Sequence, residues 1–360
     1  MVSITLCLIV RNEQSALGNC LESVKDAVDE IVIVDTGSTD DTRALAGRYT
    51  NNVYDFEWID DFAAARNFCF SLATSDYILW LDADDVLLEE DRRKLLRLKS
   101  ELDPAVDAIS MIYHYAFDEY GNVTLSLRRN RLVKRANGFR WHGPVHEYLA
   151  VSGRVMNSDI VVTHRRTHGQ SARNLTIFEN RKGRGEIFSP RDLYYYANEL
   201  LDHGMWERAA AEYESFLRTG QGWAEDAISA CVKLSDIYER LMLPEKQLAS
   251  LWRSFDYGEP RAESCCRLGA YFLSRSRTEE AAFWYRLATR LEKPKDCLGF
   301  LHDAYWTWVP HLQLCLCYSR AGDFAKAYFH NEMAGRYRPD DPHVRHNRTY
   351  LEGMLRNEAL

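Results

Sequence analysis

Along the first ninety residues, short apolar runs alternate with polar-faced amphipathic stretches, the pattern of a parallel sheet covered by helices. Residues 3–10 read as a buried strand and about 13–28 as a polar helix. Residues 30–34 form a second Val/Ile strand that closes on Asp35. Thr36-Gly37-Ser38-Thr39-Asp40-Asp41 supplies a turn and a helix cap. A helix over 42–49, a short strand over 53–56, a helix over 62–73 and a strand over 76–81 follow, the last stopping at Asp82. Three strands thus end in polar or acidic residues just past their carboxyl ends, where open α/β sheets bind ligands. Residues 91–101 form a charged amphipathic helix. Strands over 108–115, 128–134 and 154–163 make a mixed, more antiparallel section.

Near Ser189-Pro190 the texture changes, and every later periodic segment is helical. Residues 193–217, 227–255, 262–291 and 309–337 each read as helix, short turn, helix. The turns carry comparable pieces: Gly204-Met205-Trp206-Glu207-Arg208-Ala209, Arg277-Thr278-Glu279-Glu280-Ala281 and Gly322-Asp323-Phe324-Ala325-Lys326-Ala327. A spacing near ~34 residues, with Gly at turns and Ala opening second helices, resembles tetratricopeptide repeats; the alternative is an unrelated all-α bundle. The expectation is an α/β domain over 1–188 and a helical repeat domain over 189–360.

Composition narrows this further. With 45 Lys and Arg against 53 Asp and Glu, the net charge of -8 argues against broad nucleic-acid binding, which needs basic surface. Nine cysteines with no Cys-x-x-Cys pair read as buried thiols of a reducing compartment. Residues 4–10 are apolar but short, with no small-residue cleavage site. No apolar run is long enough to span a bilayer, so a cytoplasmic location is expected. Three Asn-x-Thr tripeptides, at Asn122, Asn174 and Asn347, carry no weight in that setting.

The chemistry concentrates in Asp82-Ala83-Asp84-Asp85, which follows the apolar run Tyr77-Ile78-Leu79-Trp80-Leu81. Carboxylates leaving a buried strand into a turn suit a hard divalent cation, which nucleotide phosphates would also hold. Taken alone, the same residues also fit a solvated Asp-rich turn capping the next helix. Three further motifs change that balance: Leu8-Ile9-Val10-Arg11-Asn12-Glu13, Val34-Asp35-Thr36-Gly37-Ser38-Thr39-Asp40-Asp41-Thr42 and Asp60-Asp61-Phe62-Ala63-Ala64-Ala65-Arg66-Asn67. In this order the four motifs resemble an inverting family-2 glycosyltransferase of the GT-A fold, over roughly the first half of the chain. The resemblance implies that Val10, Arg11 and Glu13 line a nucleotide pocket and that Asp35 accepts a hydrogen bond from the base. Arg66 would approach the diphosphate or donor sugar, Asp82 the ribose or the metal's outer shell, and Asp84 would ligate Mg2+ or Mn2+. The bland alternatives are an Arg66 pair with Asp60 or Asp61 and a helix-capping Glu13.

Further along, Arg140-Trp141-His142-Gly143-Pro144-Val145-His146-Glu147 resembles the acceptor-side motif of sugar-transferring members that end this segment in His-Glu. An inverting transfer needs a base for the acceptor proton. Glu147 is the candidate, with His146 orienting it or serving as base itself, and with Trp141 stacking on a sugar or substrate ring. The run from His146 also opens like a zinc-protease helix, but Ala150 stands where the second ligand belongs. In the cluster 163–174, the resemblance implies His164 first and His168 second as a metal ligand, with Arg173 on phosphate; Arg165 and Arg166 fit a solvated linker equally.

The implied activity is transfer of a hexose from a UDP-sugar or similar nucleotide sugar, with inversion. A repeat array presents a long surface suited to chains, so a peptide or protein acceptor is expected. The nearest resemblance is to bacterial peptide S-glycosyltransferases with a repeat tail. Lipopolysaccharide-core glucosyltransferases share the first-half motifs, which keeps a carbohydrate acceptor open. A catalytically silent scaffold with a relic α/β domain, and self-association through the repeats, are the remaining readings.

Overall fold

The computed structural model describes residues 1–165, 171–295 and 297–358, which group into two compact units. Unit 1 comprises residues 1–115 and 127–187, and unit 2 comprises 116–126 and 188–360.

Unit 1 is built on one mixed sheet. Its strands are β1 (Ile4–Val10), β2 (Glu30–Asp35), β3 (Val53–Asp55), β4 (Tyr77–Trp80), β5 (Asp85–Val86), β6 (Ala108–Phe117) and β7 (Val123–Lys134), the tip of the β6–β7 hairpin grouping with unit 2. Two short strands, β8 (Arg140–His142) and β9 (Tyr148–Ala150), pair with each other apart from the sheet, and β10 (Val155–His164) returns to it. The order is β3-β2-β1-β4-β7-β6-β10-β5. β1 pairs in parallel with both β2 and β4, so the chain leaves β1 in one direction and later returns to its other side. That reversal opens a crevice at the carboxyl ends of β1, β2 and β4. β7 then runs antiparallel to β4, and β5 antiparallel to β10.

Both sheet faces are covered, which is why β1 is almost wholly apolar. Ile4, Leu6, Leu8 and Val10 pack with Leu17, Cys20, Leu21 and Val24 of α1 (Leu17–Val24). Cys7, on the opposite face, packs with Val32, Val34, Cys69 and Phe70. α2 (Thr42–Ala46), α3 (Phe62–Ser71), α4 (Glu89–Glu101) and α5 (Arg173–Gly183) complete the unit. α1 starts later than the 13–28 periodicity predicts. Asn12 takes φ 57°, its backbone N–H donates to Ser38 and its carboxamide oxygen accepts from Thr39 N–H, so this stretch is a loop tied to the turn after β2. α5 was not predicted; only its first two residues, Arg173 and Asn174, belong to the histidine and arginine cluster read from the sequence.

The helical part of unit 2 is a row of antiparallel hairpins: α6 (Pro190–Asp202) with α7 (Trp206–Thr219), α8 (Ala224–Arg240) with α9 (Pro244–Arg253), α10 (Ala262–Leu273) with α11 (Thr278–Ala288), and α12 (Trp308–Arg320) with α13 (Phe324–Gly335). A final α14 (Pro342–Glu358), absent from the sequence expectation, packs on α13. This tetratricopeptide-like array needs a left-handed residue in each turn. Gly204 and Gly322 supply it in two hairpins, while Met242 and Ser276 adopt it without glycine in the others.

Close helix approach is clearest at Gly269 of α10, where an added Cβ would sit 2.6 Å from the buried ring of Tyr285 on α11. Gly269→Ala is expected to destabilise this unit by about 1–3 kcal/mol despite alanine's better helix propensity. Thermal unfolding reads this as a lowered midpoint; an unchanged or raised midpoint would show slack between α10 and α11.

Candidate active site

The turn after β2 is preorganised by Asp35. Its Oδ1 accepts hydrogen bonds from Gly37 N–H at 2.8 Å and Ser38 N–H at 2.7 Å, and Gly37 takes φ 103°. Glu13 N–H donates to Thr42 Oγ1 at 2.7 Å, and the Glu13 carbonyl accepts from Ala16 and Leu17 at the start of α1. Arg11 is exposed beside them. Val10 is a correction: its side chain is buried in the sheet core rather than lining a pocket. Only its carbonyl reaches the rim, accepting from Thr36 N–H and Oγ1.

At the end of β4 the acidic turn closes on itself, Asp85 N–H donating to the Asp82 carbonyl and Asp82 N–H to Asp85 Oδ2. Asp85, to which the sequence reading gave no role, is fully buried. It pairs with the equally buried Arg131 of β7 at 2.9 Å and accepts from Tyr113 Oη at 2.8 Å. The Arg131 guanidinium lies 3.9 Å from the Trp80 ring centre and 4.5 Å from that of Tyr113. A buried pair of this kind costs about 3–5 kcal/mol to break from one side. The signal in the sequence was an arginine in strand register immediately before Leu132-Val133, where an apolar residue would be expected.

β10 brings His164 against this turn. Its Nδ1 lies 3.5 Å from Asp84 Oδ1 and 3.6 Å from Asp85 Oδ1, and its ring stacks on Tyr115 at 5.0 Å. Arg165 N–H donates to the Asp84 carbonyl at 2.7 Å, locking β10 to the turn. Burial disfavours charge on the imidazole, but Asp84 and Asp85 outweigh it and push the pKa up to about 9. Asp84, Asp85 and His164 offer ligand atoms within 4.8 Å of one another. The buried His164 Nδ1 has no hydrogen-bond partner and faces both carboxylates, the arrangement a cation would complete. Asp85 is already engaged by Arg131 and Tyr113, which leaves Asp84 and His164 as the better-placed ligands. His168, the second candidate, and Arg166 lie outside the described residues.

Arg66 of α3 ties the acidic turn to the acceptor-side motif. Its Nη2 donates to Asp82 Oδ1 and its Nε to Glu147 Oε1, both at 2.6 Å. Its guanidinium lies between the rings of Trp80 and Trp141, 5.0 and 4.8 Å from their centres. Burial opposes the charge on Arg66, but Asp82 and Glu147 hold it protonated more firmly than usual. Burial likewise would raise Asp82, yet Arg66 and Arg131 together hold it below the usual carboxylate range. Arg66 therefore does not pair with Asp60 or Asp61; Asp60 accepts from Trp58 Nε1 and Asp61 caps α3.

Trp141 is the second correction. It is 4 % exposed, wedged edge-on between Phe70 and Trp80, and its backbone is clamped by the Asn67 carboxamide in both directions. It supports Arg66 and presents no open face for an acceptor ring. His146 is half-buried with φ 51°, and Glu147 follows it. Arg173 begins α5, its guanidinium 4.6 Å from the centre of the Phe62 ring.

A mixed sheet with helices on both faces, a topological reversal and acidic turns at its carboxyl rim define an α/β domain of the GT-A kind. Residues 5–170 match the family model described as glycosyl transferase family 2, so the chain carries a family-2 glycosyltransferase domain. A TPR repeat-containing protein of Synechococcus elongatus is 40% identical over 149 residues, 41% of this chain and 36% of that protein. The SPbeta prophage-derived glycosyltransferase SunS of Bacillus subtilis is 29% identical over 214 residues, 55% of this chain and 49% of that protein. The lipopolysaccharide core biosynthesis glycosyltransferase LpsC of Rhizobium meliloti is 30% identical over 158 residues, 42% of this chain and 58% of that protein. The chain spans between about a third and three fifths of these relatives' lengths.

Proposed function

We propose that the chain transfers a hexose from a nucleotide sugar, a UDP-hexose first, to a peptide or protein acceptor, with inversion and with the help of Mg2+ or Mn2+. The observation that carries this reading is the meeting of Asp84 and His164 on the same rim as the Asp82–Arg66–Glu147 array. A cation held by Asp84 and His164 would supply positive charge to the diphosphate oxygens. Asp35 and the Arg11–Glu13 loop receive the nucleoside, and Arg173 is proposed to meet phosphate. Glu147 accepts the proton of the acceptor's nucleophilic group as that group bonds to the anomeric carbon from the face opposite the nucleotide. The carbon–oxygen bond to the diphosphate breaks, its electron pair leaving with the nucleoside diphosphate.

The row of helical hairpins supports a chain-like acceptor, because successive hairpins present repeated side-chain positions along an extended surface. The likeness to LpsC favours a carbohydrate acceptor as the second reading. No helix among the described residues is long and apolar enough to cross a membrane; a cytoplasmic site of action is part of the proposal. The test is hydrolysis of a panel of nucleotide sugars with Mn2+ or with EDTA. One UDP-hexose should be cleaved in the presence of Mn2+ only. Absence of cleavage under both conditions would make the α/β domain a silent scaffold.

A further inference from the structure

Two helices of unit 2 carry aromatic rings that its core leaves uncovered. Trp252 on α9 is 39% exposed and Phe283 on α11 is 52% exposed. Trp284 joins them, 5.4 Å from Trp252 and 5.2 Å from Phe283 between ring centres, with Phe255 beneath at 5.7 Å from Trp252. Single exposed apolar residues are ordinary, but a contiguous run of large rings across two helices marks a surface that something covers.

The charges around the rings identify what covers it. The outer stripe of α11 and the turn after it reads Glu279, Phe283, Arg286, Arg290, with steps of four, three and four residues. That spacing is the same in both directions. Laid antiparallel on a second copy about a two-fold axis midway along the stripe, Glu279 of each copy meets Arg290 of the other, and Phe283 meets Arg286. A two-fold interface requires this reciprocity, in which residue i meets j and j meets i. The contacts it creates are two acid–base pairs and two guanidinium–ring contacts, with the helix dipoles opposed. The acidic end is available: Arg277 next to it is paired with Glu280 at 2.8 Å, leaving Glu279 exposed. Arg286 leans on Tyr318 Oη at 3.4 Å, which keeps its guanidinium beside the stripe. On α9 the outward positions before Trp252 are Glu245 and the small Ala249, which leave Trp252 free to flank the contact. A membrane or nucleic-acid surface would call for basic residues alone, whereas this stripe carries acid at one end and base at the other.

We propose that the outer face of α9 and α11 is a two-fold interface with a second copy of this chain, centred on the Glu279–Arg290 stripe and closed by Phe283 and Trp252. The inference stands apart from the catalytic reading and is tested on the full chain by sedimentation equilibrium from about 1 to 100 µM. A dimer is expected in that range. Phe283→Glu should render the chain monomeric with an unchanged melting temperature. Glu279→Arg should weaken the dimer by roughly ten-fold or more, since it sets like charges against each other. Adding Arg290→Glu to that variant should restore the dimer, which a mere folding defect would not do. A monomer throughout the range, or a dimer indifferent to Phe283→Glu and Glu279→Arg, overturns the proposal.

Discussion

Asp84→Ala is expected to remove metal-dependent turnover of the nucleotide sugar, by roughly a thousand-fold or more, while the fold persists. The size follows from the charge such a cation supplies to the departing diphosphate, several kcal/mol at about 1.4 kcal/mol per factor of ten. The expectation that the fold persists follows from the division of labour in the acidic turn. Asp85 is sealed beneath the surface and bound to Arg131, Tyr113 and the Asp82 N–H, so it carries the structure. Asp84 has a partly exposed side chain, and the tie that locks β10 to it runs through its backbone carbonyl, which alanine keeps. Asp85→Ala, by contrast, should lower the melting temperature before it informs on catalysis. The measurement is paired: Mn2+ binding to each variant, and cleavage rate under saturating Mn2+. Full activity in Asp84→Ala would remove this residue from the metal site.

What was legible in the sequence was whatever local pattern determines. The strands β1, β2 and β4 are apolar runs bounded by acidic turns, and the hairpins of unit 2 announce themselves through helical periodicity and turn residues. The placing of Asp35, Asp82 and Asp84 at strand carboxyl ends was legible too, because the apolar runs stop at them. What escaped was tertiary pairing. For Arg66, local reasoning offered a pair with Asp60 or Asp61 only as the alternative to a diphosphate or donor-sugar contact, and neither Asp82 nor Glu147, 16 and 81 residues distant, was named as its partner. Asp85 and Arg131 lie on β5 and β7, with α4 and β6 between them in the chain, and nothing local marks one as the counter-charge of the other. Trp141 illustrates the same limit. Its aromatic character suited a ligand-stacking role, and only the packing of Phe70, Trp80 and Asn67 around it shows that its ring is used internally.

Glu147→Gln is expected to slow transfer by about 10²–10⁴-fold, the usual worth of a positioned base, with donor KM little changed. The substitution isolates proton transfer because its geometry is conservative. The Arg66 Nε–H that now meets Glu147 Oε1 can donate to the glutamine carboxamide oxygen in the same place, so the link across Trp80 and Trp141 survives. Arg66 also retains Asp82 as a full counter-charge, which avoids leaving a buried guanidinium alone. The rival base is His146, whose backbone lies in the left-handed region. Asparagine tolerates that conformation at least as well as histidine, so His146→Asn removes the imidazole without straining the turn. If Glu147 takes the acceptor proton, Glu147→Gln loses kcat and His146→Asn loses less, since it would disturb orientation alone. If His146 takes it, the two results exchange places, and a Glu147→Gln enzyme with wild-type kcat would reassign the base.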